Sequence, residues 1–168
     1  MGMIKKIHVL VFSVALALFS SPFFAEENQK DTPKEEVTVL FETPLGAKVP
    51  LLCEVARTPE QKARGLMFRK YLPPLRGMIF ISEEPEPLTF WMRNTEIPLS
   101  IAFVSERNTI LSFEDMQPFD ESIISSFTPA KYAIEANLGW FRKYRISSGS
   151  KIKILEGNRM KEFRRARR

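Results

Sequence analysis

The chain has 168 residues, a formal net charge of +5, one histidine and one cysteine. His8 lies in an apolar N-terminal run and Cys53 is the only thiol, so Ser-His-Asp and Cys-His nucleophiles, Cys/His zinc sites and an intramolecular disulfide are excluded from the body of the chain. Residues 158–168 carry +5 and residues 1–25 carry +2, which leaves −2 for residues 26–157; no nucleic-acid partner is expected of such a body.

Lys5 and Lys6 precede an apolar run from Ile7 to Phe19, and Ala25 precedes the charged stretch Glu26–Lys30. This is the pattern of a secretory signal peptide over residues 1–25, and it implies an exported protein, periplasmic or secreted. The run is shorter than the ~20 apolar residues of a membrane span. Phe23 is bulky where a cleavage site favours a small residue, so an uncleaved N-terminal anchor is the alternative. Residues 26–36 read as a polar linker, residues 37–157 as one domain of a size that buries a single core, and residues 158–168 as a basic tail.

Val37–Phe41 and Val49–Ala56 read as strands of a hairpin around Pro44 and Gly46. Thr58-Pro59-Glu60-Gln61 is a capping box that starts a short helix running toward Met67, with Ala63, Leu66 and Met67 inward. Gly77–Ile81 is a strand, Glu83–Pro87 an acidic loop, Leu88–Met92 a strand, and Leu99–Val104 with Thr109–Phe113 a second hairpin. Asp115–Pro129 has no period and reads as a long loop, a type that often carries function. Lys131–Ala136 is a strand; Asn137 or Leu138 opens a short helix through Tyr144; Lys151–Leu155 is the last strand. Many short strands with two short helices give a β-rich α+β fold, expected as a compact, barrel-like antiparallel sheet.

Phe90–Phe103, FWMRNTEIPLSIAF, sets Arg93, Asn94 and Thr95 between two apolar runs, beside Phe90 and Trp91. Polar groups beside aromatics suit a ligand pocket; an equally available reading is a core strand ending in an Asn-Thr turn. Cys53 in Val49–Ala56 reads as a buried small hydrophobe. No phosphate loop, dinucleotide fingerprint or Asp-x-Asp-x-Asp loop is present, so no cofactor and no metal site are expected.

Four segments occur in a characteristic order: Arg57-Thr-Pro-Glu-x-x-x-Arg64-Gly-Leu-Met67, Arg76-Gly-Met-x-Phe80, Phe90-Trp-Met-Arg-Asn-Thr-x-Ile-Pro-Leu99 with Ile101-Ala-Phe103, and Tyr132-x-x-Glu135-x-Asn137-x-Gly139-Trp140-Phe141. Together they resemble the domain of unknown function 192 family over roughly Val49–Leu155. The resemblance implies a small β-rich barrel with short helices, often behind a signal peptide, and no established activity. This chain departs from it with Arg93 where lysine is frequent, Ser100 where aspartate is frequent, and no cysteine pair after Met116-Gln-Pro118.

The candidate site residues are Arg64, Trp91, Arg93, Asn94, Thr95, Glu135 and Asn137, forming either a ligand pocket or a structural polar cluster. Strand alternation puts Glu135 opposite Ile134, so a core-facing Ile134 turns Glu135 toward solvent or a groove, where it could pair with Arg64 or Arg93. Phe90, Trp91 and Trp140 could form an apolar wall, although Trp140 at helical spacing from Tyr144 could equally be core. The favoured reading is a non-enzymatic binding or accessory protein of the cell envelope, with a small molecule or envelope component as partner. The alternatives are a carboxylate-dependent hydrolase pairing Glu135 with Asp115 or Glu96, and a structural domain whose Arg164, Arg165, Arg167 and Arg168 touch an anionic membrane or a partner.

Overall fold

A computed structural model of the chain describes residues 35–165. The expected signal peptide, most of the expected linker, and Arg167 and Arg168 lie outside the described residues. β1 (Glu36–Glu42) and β2 (Lys48–Ala56) form the expected hairpin, closed by a turn in which Gly46 takes φ +79° and Thr43 Oγ1 accepts the Ala47 N–H at 3.0 Å. Pro50 cannot donate to a ladder. It sits where β2 has β1 alone as neighbour, because pairing with β3 (Arg76–Glu86) begins at Leu52.

The β2–β3 pair is parallel, which corrects the expectation of a wholly antiparallel sheet. Parallel neighbours need a crossover of a dozen or more residues, usually helical. Here residues 57–75 supply it, with α1 (Pro59–Arg64) inside. Its capping box is formed: Thr58 Oγ1 accepts the Gln61 N–H at 3.2 Å and Gln61 Oε1 accepts the Thr58 N–H at 3.0 Å. The helix stops at Gly65, whose φ of +47° suits a residue without Cβ.

β4 (Thr89–Phe90), β5 (Leu99–Val104), β6 (Ile110–Met116), β7 (Ile124–Ser125), β8 (Ala130–Asn137), α2 (Trp140–Lys143) and β9 (Lys151–Glu156) follow. Seven strands form one mixed sheet in the order β6-β5-β8-β3-β2-β1-β9, and β4 pairs only with β7 in a separate small sheet. The expected strand at Leu88–Met92 is thus reduced to two residues outside the main sheet, and the long loop after Asp115 carries its partner. β3 extends through the acidic segment expected as a loop, with an irregularity between Ile81 and Glu86 that absorbs Pro85. No closed barrel forms among the described residues; one isolated bridge joins Thr109, just before β6, to Lys151 of β9.

The sheet is covered on both faces. Val39, Phe41, Leu51, Cys53, Ile79, Ile134, Trp140 and Phe141 pack on one side. Leu66, Met78, Phe80, Met92, Leu99, Ile101, Phe103 and Ala133 pack on the other. The basic segment is tied to this body: Thr38 Oγ1 donates to the Gly157 carbonyl at 3.2 Å and accepts the Arg159 N–H at 3.0 Å, Met160 is buried, and α3 (Met160–Arg165) follows.

Gly77 in β3 is where the sheet is tightest. A Cβ there would lie 2.3 Å from the Glu135 carbonyl oxygen and 3.0 Å from Leu51 Cδ2. Gly77→Ala must therefore displace the backbone of β8 and is expected to lower stability by about 1–3 kcal/mol in urea unfolding. A change below about 0.5 kcal/mol would contradict this packing.

Candidate functional site

The two-residue sheet, the end of α1 and the second apolar face enclose a cavity of about 420 Å³. Phe80, Leu88, Phe90, Leu66 and Trp91 form much of its lining, and Phe80 and Phe90 meet edge to face at 4.9 Å. Its polar lining comes from Lys62 and Arg64 of α1, Ser82 and Glu86 of β3, Thr89, Thr95, and Glu135 of β8. This is the size and apolar character of a small-molecule site.

Glu135 is the unusual member. Alternation along β8 sends Ile134 to the first cluster and Glu135 to the second face, opposite Met78 of β3 and Ile101 of β5. Only 5% of the residue is exposed. Burial alone pushes its carboxyl up to about 8, since no cation or hydrogen-bond donor among the described residues offsets the loss of water. The ion pair with Arg64 or Arg93 that the sequence suggested is not formed: Arg64 lines the same cavity from the exposed α1, and Arg93 lies outside it.

The structure thus brings Arg64, Trp91, Thr95 and Glu135 to one cavity and sends Arg93, Asn94 and Asn137 elsewhere. Arg93 lays its guanidinium 5.7 Å from the centre of the Trp91 ring and faces Glu121 at 3.9 Å, both in solvent. Asn137 is structural: its amide donates to the Leu72 and Pro73 carbonyls, each at 3.1 Å, and fastens the crossover to β8. Asn94 takes φ +55°, and its carbonyl accepts the Phe68 N–H at 2.8 Å. Thr95 gives its carbonyl to the Phe119 N–H at 3.2 Å, and the Met92 N–H reaches the Asp120 carbonyl at 2.7 Å. Three segments are laced together there, and Phe68 and Phe119 are held at φ +63° and +62°, strained values for bulky side chains.

Trp140 is core: it is 3% exposed against Phe41 and Phe141, on the sheet face opposite Glu135. Its indole N–H has no partner among the described residues. Cys53 is fully buried, and burial drives its thiol far above the ordinary range, which makes it inert. The acids proposed to work with Glu135 are not in the cavity lining. Asp115 accepts a 2.5 Å bond from Ser100 Oγ and pairs with Arg142, and Glu96 is exposed. Ser100 Oγ also accepts the Gly139 N–H at 2.8 Å. Asp115 lies directly across the strand pair from Ser100. Among the described residues no group of three His, Cys, Asp or Glu side chains could hold a metal, and no helix is long and apolar enough to cross a membrane.

Sequence reasoning missed Lys62, Ser82, Glu86 and the apolar lining of Leu66, Leu88 and Ile123. Met78 and Phe80 both belong to the second cluster, and the alternation that puts them on one face of β3 extends to Ser82. That pattern was visible in the sequence.

A mixed sheet sealed on both faces, with a cavity over one of them that holds a buried, unpaired acid, defines a small pocket-bearing α+β domain. The profile of the DUF192 family, described as an uncharacterized ACR, matches residues 42–154, and the chain belongs to this family. It is similar to the crystal structure of a proposed transcription regulator from Sinorhizobium meliloti 1021, at 32% identity and a TM-score of 0.72, over 74% of this chain and 97% of that one. It is also similar to a protein of unknown function from Novosphingobium aromaticivorans DSM 12444, at 35% identity and a TM-score of 0.68, over 70% of this chain and 84% of that one. No curated protein matches the chain.

The raised carboxyl of Glu135 has a consequence for folding. The unfolded chain has an ordinary glutamate near 4.3, so between that value and about 8 the folded state binds the extra proton. Wild-type stability should therefore fall as pH rises from about 5 to about 8, and the loss is complete above 8. Glu135→Gln removes this slope and should be the more stable protein at pH 9, by an amount on the order of 5 kcal/mol. Urea unfolding from pH 5 to 9 checks it; parallel profiles for the two proteins would contradict the buried, unpaired carboxyl.

Proposed function

We propose that the chain is an exported, non-enzymatic binding protein of the cell envelope whose cavity takes a small, largely apolar ligand with one polar group directed at Glu135. The observation that carries this reading is the buried carboxyl without a partner in an apolar cavity of about 420 Å³. A polar group left unpaired in the interior costs roughly 1–3 kcal/mol, and more if it is charged, which a bound partner would recover. The laced, strained turns at Phe68, Asn94 and Phe119 are supporting features, since backbone strain gathers at ligand sites. Export rests on Lys5, Lys6 and the apolar run from Ile7 to Phe19.

A contact of the basic C-terminal segment with an anionic membrane belongs to the same proposal, at about 1 kcal/mol per basic residue near the surface. The hydrolase alternative loses support, because Asp115 is engaged by Ser100 and Arg142. The Sinorhizobium protein's proposed role in transcription is not carried over, since residues 26–157 bear −2 and phosphate backbones favour cationic surfaces.

Ala63 is exposed on α1 and lines the cavity, so Ala63→Trp plugs the site from outside the core. In a thermal-shift screen of small amphiphiles, at least one compound should raise the melting temperature of the full chain. Saturation at a hundredfold over Kd contributes about 2.7 kcal/mol. Ala63→Trp should abolish that rise while keeping the ligand-free midpoint within about 2 °C. A rise that survives the plug, or none in the whole screen, would contradict the pocket.

A further inference from the structure

We propose that the cavity selects a ligand carrying a protonated amine on an apolar body, with the ammonium seated at Glu135 and any anionic end of the same molecule turned outward toward Lys62 and Arg64. This inference rests on the pocket reading above and names its ligand class. The buried part of the cavity offers one ionisable group, the Glu135 carboxyl, among Phe80, Phe90 and Leu66, with the Ser82 and Thr95 residues also buried. An ammonium there finds a counter-charge in a cavity lined by the rings of Phe80 and Phe90, both of which favour a desolvated cation. An anion there would have to give up water with no cation beside it. The two cations that line the cavity belong to α1, in which no residue is buried. The buried charge is thus acidic, and the rim carries the two bases and the exposed acid Glu86, an order that matches a molecule entering ammonium first.

Among the described residues, the charged groups facing the cavity besides Glu135 are Lys62 and Arg64 from α1 and Glu86 from the end of β3. The lining residues of β4, Thr89 and Phe90, carry no charge, and β5 contains no ionisable side chain. The binding step then has a definite proton balance. In the free protein near neutral pH the Glu135 carboxyl holds a proton, because its midpoint is pushed to about 8. Pairing with an ammonium favours the carboxylate, so the proton on Glu135 leaves to solvent while the amine keeps its own. Amine affinity should therefore rise about tenfold per pH unit from 6 toward 8, then level off until the amine itself loses its proton near 10. A carboxylic acid ligand would show the opposite sign, since it needs the protonated form of Glu135.

The test is isothermal titration of the full chain with three probes of similar shape: 2-phenylethylamine, 2-phenylethanol and 3-phenylpropanoate, from pH 6 to 9 in buffers of differing ionisation enthalpy. The expected result is binding of the amine with close to one proton released per site at pH 7 and the rising pH profile. Glu135→Gln, which keeps a neutral side chain like that of the free protein at neutral pH, should weaken amine binding at least about thirtyfold and remove the pH slope. Binding of the propanoate with a falling profile, or of the alcohol as tightly as the amine, would overturn the ammonium assignment and leave the pocket reading standing. Amine binding that is flat with pH and indifferent to Glu135→Gln would overturn the assignment as well. If none of the probes binds, the assignment fails; if the amphiphile screen is also blank, the pocket reading fails with it.

Discussion

Everything in this domain depends on β8 being covered on both faces. It lies between β3 and β5 near the middle of the main sheet, with Ile134 and Ala136 in one apolar cluster and Ala133 in the other. A strand in that position normally alternates one apolar residue with another. A charged residue in such a strand has no solvent to turn to, and it must find a partner, shed its charge or face a cavity. Glu135 has no partner among the described residues, holds its proton to about pH 8, and lines the cavity. The three facts have a single cause, the burial of β8.

The surrounding polar groups show the ordinary solution. Glu54 is also buried in a strand, but Arg69 grips it with two 2.6 Å bonds. Asp115 is met by Ser100 and Arg142, and Asn137 by two carbonyls of the crossover. Among the described residues the other buried acid, Glu54, is paired, and Glu135 faces an opening. That contrast separates a candidate site from a structural cluster, and it could be drawn only once partners were visible.

Much of the fold was legible in the sequence, because local signals set it. The capping box at Thr58, the hairpin around Gly46 and the apolar run Val49–Ala56 all match the elements found. The parallel pairing of β2 and β3 was harder to read, since it depends on how residues 57–75 return the chain to the sheet and not on any residue pattern. The strand expected at Leu88–Met92 shrank to Thr89–Phe90 because its only strand partner is the two-residue β7 from the next long loop. Within the site, Arg64, Trp91, Thr95 and Glu135 were named from motifs, and the structure brings them together. Asn137 and Arg93 were equally prominent in those motifs, but a motif does not say whether a polar side chain serves the backbone, solvent or a cavity. Trp140 is the same lesson: in sequence it could be wall or core, and its helix carries it to the face of the sheet away from Glu135.

The measurement that bears most directly on this account is a side-chain carboxyl carbon NMR titration of Glu135, in the free protein and with saturating 2-phenylethylamine. Assignment follows from the signal lost in Glu135→Gln. The account predicts a midpoint near 8 in the free protein, well above the ordinary glutamate value, and a clear drop when the amine is bound. A free-protein midpoint in the ordinary range of about 4 to 5 would mean that water or a donor already serves the carboxyl, and it would contradict the unpaired buried acid on which the pocket reading stands.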